Sequence, residues 1–148
     1  MTVGWQQSAL DETTALLAAY PDVRALVLFG TAARQAPGGM GSWRDLDFLL
    51  VVDTGAVPQF VPVLDWLAPL GQIIATEIHE RDHACTVRVC LDGFRRMDFI
   101  ITTEASLSNV ESWPRVPFHG ERRVLFSRSE AVDNALAGEL EPGMPELV

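Results

Sequence analysis

Apolar residues recur along the chain first at helical and then at strand spacing. From Gln6 to Tyr20 they include Leu10, Leu16, Leu17 and Tyr20, and Pro21 closes the run, so an amphipathic helix is expected. Val23 to Phe29 (VRALVLF) is a β-type run that stops at Gly30. Thr31 to Gln35 reads as the first turns of a helix. Ala36 to Ser42 (APGGMGS) reads as a loop, because Pro and three Gly fall within seven residues. Leu46 to Val52 (LDFLLVV) is a second apolar strand, buried on both faces beyond its polar start. Pro58 to Leu67 is expected to be helical, with Gly71 marking its end. Three strands follow at Gln72 to Ile78, Ala84 to Leu91 and Phe94 to Ile101, and Asp92-Gly93 between the last two signals a tight hairpin. A short helix at Glu104 to Val110, a strand at Val124 to Phe126 and a last helix at Ser129 to Ala137 complete the pattern. Residues 138–148 read as a loosely ordered tail. No internal repeat or linker divides the chain, so residues 1–137 are expected to form one domain. Strands interleaved with helices predict an α/β or α+β sandwich whose mixed β-sheet is flanked by helices.

Composition narrows the function more than the fold. The 148 residues, 48% hydrophobic and 21% charged, suit one soluble domain with a real core. No apolar run approaches the ~20 residues of a membrane span. The N-terminus lacks the basic and apolar regions of a signal peptide, so a cytoplasmic protein with no membrane partner is expected. Cys85 and Cys90, five apart in one expected strand, point to opposite faces and read as reduced thiols. Twenty acidic residues against eleven basic ones give a formal net charge of −9, which disfavours nucleic acid and favours cationic partners through steering. All eleven basic residues are arginine. The absence of lysine excludes a Walker A loop, a protein kinase and Schiff-base chemistry.

The candidate chemistry lies at one strand start. Asp45 and Asp47 are separated by one residue, so on a strand both carboxylates project to the same face, while Leu46 and Phe48 face apolar packing. Like charges that close repel unless a cation lies between them, and Mg²⁺ is a hard ion held by one or two carboxylates together with substrate phosphates. Upstream, a strand ends in Phe29-Gly30-Thr31. There Gly admits close backbone approach, Thr offers a hydroxyl, and a helix N-terminus forms an anion site without lysine. Arg34, one turn on, is placed to neutralise a phosphate. Downstream, Asp98 interrupts the apolar run FRRMDFII and either pairs with Arg95 or Arg96 or faces a cation.

Together, Gly30-Thr31, Asp45-x-Asp47 and Asp98 resemble the nucleotidyltransferase superfamily with the DNA-polymerase-β palm. The stretches RALVLFGTAAR, RDLDFLLVVD, DWLAPLGQII and LDGFRRMDFIIT narrow the resemblance to streptomycin-type aminoglycoside 6-adenylyltransferases, in order and spacing between Val23 and Thr103. The resemblance implies the nucleotidyltransferase fold and ATP as substrate. Asp45 and Asp47 would hold Mg²⁺ on the triphosphate, and Asp98 would complete a second metal position or deprotonate the acceptor hydroxyl. Gly30, Thr31 and Arg34 would hold the nucleotide phosphates. The implied reaction is in-line transfer of AMP to a hydroxyl of a cationic, aminoglycoside-like small molecule, with two Mg²⁺ ions.

Two departures bear on the acceptor. Thr31 stands where the family has Ser and keeps the hydroxyl. The family also carries a helical C-terminal domain that helps hold the acceptor, so these 148 residues are expected to bind Mg–ATP alone and to need a second subunit, as in a homodimer, to close the cleft. His79, His83 and Cys85 fit no standard zinc spacing. Trp66 reads as core, Trp43 beside the Gly-rich loop as a ligand contact, Trp113 as a further stacking candidate, and Glu77 and Glu80 as acceptor-side residues. The alternatives are a minimal antitoxin-type nucleotidyltransferase acting on a partner protein, and a non-catalytic nucleotide-binding module.

Overall fold

A computed structural model describes residues 5–29, 45–81, 84–107 and 122–138. Helix α1 (Gln6–Ala18) buries Leu10 and Leu17, while Leu16 and Tyr20 pack at the edge of the same core. Strand β1 (Val23–Phe29) and strand β2 (Leu46–Val52) have the bounds their apolar runs predict, and each is buried on both faces beyond its second residue. Strands β3 (Ile73–Glu80), β4 (Cys85–Leu91), β5 (Arg95–Thr103) and β6 (Arg122–Ser127) follow, and α2 (Glu130–Gly138) packs last. Ser129 caps α2, its Oγ accepting the Val132 N–H at 3.2 Å. No described helix is long and apolar enough to cross a membrane.

The expected helix from Pro58 to Leu67 is not formed. Two 3-10 turns, Val57–Gln59 and Asp65–Leu70, replace it, with a cis Val61–Pro62 peptide between them. Proline lacks the N–H that an α-helix needs and its ring crowds the preceding turn, so Pro62 divides the segment. Its apolar residues still serve the core: Phe60, Trp66, Leu67 and Leu70 are buried. Gly71 ends the segment as expected, at φ 147°, where a side chain would collide with Asp92 and Arg95. Of the expected helix at Glu104 to Val110, the described part is a 3-10 turn at residues 105–107.

The six strands form one mixed sheet in the order β3-β4-β5-β2-β1-β6. Only β2 and β5 run parallel; the other neighbours are antiparallel. This is an α+β architecture with helices flanking a mixed sheet, as the pattern of elements predicts. On one face lie α1 and the two 3-10 turns, packed on Leu26, Leu28, Phe48, Leu50, Met97, Phe99 and Ile101. On the other face α2, through Val132 and Leu136, covers Ala25, Val27, Leu49 and Val51. That second cluster sits toward the β1–β2 side. Across β3, β4 and β5, the same face carries the half-exposed side chains of Glu77, Arg88 and Arg96.

Candidate functional site

The two central strands bring the acidic residues together. In the parallel β2–β5 register Asp47 lies directly beside Asp98, and each is followed by a phenylalanine, Phe48 beside Phe99. Alternation turns the carboxylates to one face and the phenylalanines to the other. The two rings stack at 5.0 Å between centroids, Phe99 meets Trp66 edge-on at 5.2 Å, and Trp66 meets Phe60 at 5.5 Å. Trp66 is core, as expected, and its indole N–H donates to the Phe60 carbonyl at 2.8 Å. With Leu46, Phe48, Met97 and Phe99 fully buried, neither strand can rotate to expose its aspartate differently without emptying the core.

Charge crowding marks the site. Asp47 is pushed up to about 6, by burial first and then by the negative charges of Asp98 and Asp45. A hydrogen bond with Asp98 adds to the rise, and Arg88 opposes it. Asp98 is also raised, by burial and then by Asp45, against the pull of Arg88 and Arg96. The Asp98 side chain is 19% exposed, and its Oδ1 is buried with no N–H or hydroxyl donor among the described residues. A buried carboxylate oxygen left unpaired is costly, and a cation or a proton donor would relieve the cost.

Arginines frame the carboxylates. Of the two readings of Asp98, the pairing with Arg95 or Arg96 is not formed; Arg88 on β4 lies across from it in register, with Nε 3.8 Å from Oδ2. Arg96 pairs with Asp45 at 3.5 Å, and Arg95 with Asp92 at 2.8 Å. Arg95 is an odd number of residues from Asp98 and so projects from the other face. Arg88 also reaches Glu77 at 4.0 Å, and Glu77 contacts His79 at 2.8 Å, which holds the Glu77 carboxyl below its usual range. At 3.5–4.0 Å the arginine contacts with Asp45, Asp98 and Glu77 are ion pairs longer than good hydrogen bonds.

The structure thus assembles Asp45, Asp47 and Asp98 at one place. Among the described residues no set of three or more His, Cys, Asp or Glu side chains converges as metal ligands. The carboxylates come as a close pair, Asp47 and Asp98, with Asp45 beside them and engaged by Arg96. Two carboxylates with an unpaired oxygen fit a hard divalent ion that takes its remaining ligands from water and phosphate. Gly30, Thr31, Arg34, Trp43, His83 and Trp113 lie outside the described residues. β1 does end at Phe29, the register partner of Asp47, immediately before Gly30 in the chain. Arg88 is the site residue that sequence reasoning missed. Its position on the alternating run CTVRVCL was visible, but its partner depended on the hairpin register.

No protein-family model matches this sequence. No curated protein matches it either. Among solved structures, the chain is similar to one described as a cytoplasmic RNA terminal U-transferase, with a TM-score of 0.44 and 20% sequence identity. The match covers 74% of this chain and 35% of that one, so it spans about a third of the other protein's length.

Proposed function

We propose that this protein is a metal-dependent nucleotidyltransferase that moves a nucleoside monophosphate from a triphosphate, with ATP the one the sequence resemblance implies, to the hydroxyl of a small molecule. One observation carries the reading: Asp47 and Asp98 stand side by side on the two parallel central strands, both raised, with Asp98 Oδ1 buried and without an N–H or hydroxyl donor among the described residues. A structural ion pair would match each carboxylate with a cation at hydrogen-bonding distance, whereas among the described residues the nearest guanidinium is 3.8 Å from Asp98. Asp47 and Asp98, with Asp45 beside them, would hold Mg²⁺, which supplies charge neutralisation for the triphosphate. Burial of Leu46, Phe48, Met97 and Phe99 behind them keeps the carboxylates oriented without a cost paid at the moment of reaction. Asp98 would either complete the metal position through its unpaired oxygen or, where the ion rests on Asp45 and Asp47, accept the proton of the attacking hydroxyl. Gly30, Thr31 and Arg34 remain the proposed phosphate-binding residues, on the strength of their motif and of β1 ending beside Asp47. An aminoglycoside acceptor has the sequence resemblance and the net charge of −9 in its favour.

Calorimetry with Mg–ATP is the test. Binding is expected to need Mg²⁺ and to collapse in Asp47→Asn. Asp98→Asn is expected to abolish pyrophosphate release without lowering the melting temperature, since its ion pair with a half-exposed arginine contributes about 0–1 kcal/mol. Equal ATP affinity with Mg²⁺ and with EDTA would overturn the reading.

A further inference from the structure

We propose that the open side of this site, over β3, β4 and β5, binds the acceptor, and that the acceptor is a small hydroxylated compound carrying an oxyanion group rather than a polycation. The inference rests on the nucleotidyl-transfer reading, which gives the bound hydroxyl its role. A cavity of about 330 Å³ lies there, lined by Ala75, Glu77, Arg88, Cys90 and Arg96 among others. Register explains its shape. Ala75, Cys90 and Arg96 fall on one rung across the three strands, and Glu77, Arg88 and Asp98 fall on the next. The two small side chains leave a floor, and a guanidinium stands on each rung beside it.

The cavity wall itself is richer in cations than the molecule as a whole, although the partners of its arginines, Asp45 and Asp98, stand at its edge. Two arginines and one glutamate line the cavity, in a chain whose net charge is −9. Global charge acts on approach and is screened beyond ~8 Å at physiological salt, whereas a bound ligand meets the cavity wall directly. A polycation would have to settle against Arg88 and Arg96. An oxyanion would instead find two planar donors able to grip it in bidentate fashion. Both guanidiniums are available for exchange: they are 54% and 55% exposed, and their present contacts with Asp98, Glu77 and Asp45 measure 3.8, 4.0 and 3.5 Å. A cation on the aspartates would weaken those contacts further. Glu77 is left to accept hydrogen bonds from hydroxyl groups. The volume is at the low end of the ~300–1,000 Å³ typical of ligand pockets, which suits a single sugar ring with its phosphate. A nucleic-acid 3′ end offers the same hydroxyl and phosphate, but the acidic surface disfavours a long phosphate backbone.

Cys90 gives a direct readout, because it lines the cavity while Cys85 is buried. Iodoacetamide alkylation of Cys90, followed by peptide mass mapping, is expected to slow in millimolar glucose 6-phosphate and not in streptomycin. Arg88→Gln and Arg96→Gln should each raise the half-protecting concentration about tenfold. Protection by streptomycin at lower concentration than glucose 6-phosphate would overturn the proposal. So would absence of protection by both glucose 6-phosphate and inorganic phosphate, or tightest protection by a short oligonucleotide. Mg–ATP calorimetry on the same preparation separates the two claims. Sugar-phosphate protection without Mg–ATP binding upholds the oxyanion site and sinks the transferase reading. Mg–ATP binding without sugar-phosphate protection does the reverse.

Discussion

Asp47 is a carboxylate placed where its charge is unwelcome. The group ordinarily titrates at 3.8, and here it is pushed up to about 6, by burial before anything else. Between those values the folded protein keeps a proton that the unfolded chain has lost. The stability this group contributes is therefore full below its unfolded pKa and is lost as pH rises through about 6. Asparagine at this position stays neutral at every pH. With EDTA present, Asp47→Asn should melt above the wild type at about pH 8, and the two should converge by about pH 4. Thermal melts across that range check it; coincident melting at the alkaline end would show that Asp47 carries no such penalty. The same substitution should remove Mg–ATP binding, so a gain in stability accompanied by a loss of binding would mark a group kept for function.

Among the elements, β6 and α1 are joined by one side chain. Arg128, just past β6, donates to the carbonyls of Tyr20 at 2.9 Å and Val23 at 2.8 Å, and to that of Ala18 at the end of α1. Its guanidinium also lies 5.0 Å from the centre of the Phe126 ring. The last carbonyls of a helix lack partners within it, and a cation there also suits the helix dipole. Arg128→Ala should cost about 2 kcal/mol, and the melting temperature should fall by roughly 5–10 °C. Arg128→Lys should recover only part of the loss, because a single ammonium cannot reach three separated carbonyls in fixed directions. Scanning calorimetry of both variants decides it, and an unchanged Arg128→Ala midpoint would remove this tie from the account.

For the molecule as a whole, the aromatic chain from Tyr20 through Phe60, Trp66 and Phe99 to Phe48 links the α1 side to the two strands that carry the aspartates. Stability and site geometry therefore depend on the same packing. Phe99→Ala should cost about 3–5 kcal/mol, since the ring is fully buried and the gap lies directly behind Asp98. Val63→Ser, at a position 57% exposed, should shift stability by under about 0.5 kcal/mol. Urea denaturation of the two variants checks the contrast. A Phe99→Ala protein as stable as the Val63→Ser protein would mean that the sheet does not rely on this stack.

Local pattern was enough for whatever depends on neighbours in the chain. The bounds of β1 and β2, the core role of Trp66 and the shared face of Asp45 and Asp47 all follow from side-chain alternation and apolar runs, which act over a few residues. The stretch from Pro58 to Leu67 shows where such reading fails, because its helical spacing was outweighed by the missing N–H of Pro62. Tertiary structure decided which strands adjoin and in what register. Nothing in the sequence of β2 or β5 states that they run parallel and in step, and that step alone sets Asp47 beside Asp98. The partner of Asp98 depended on a single loop residue. The turn between β4 and β5 takes three residues, with Gly93 at φ 81° and Phe94 at φ 59°, and pairs Leu91 with Arg95. A two-residue turn at Asp92-Gly93 would have moved the register by one, set Arg88 against Met97, and sent its guanidinium to the apolar face. Side-chain direction is a local property of the backbone, but which charges meet is fixed by the long-range pairing of strands.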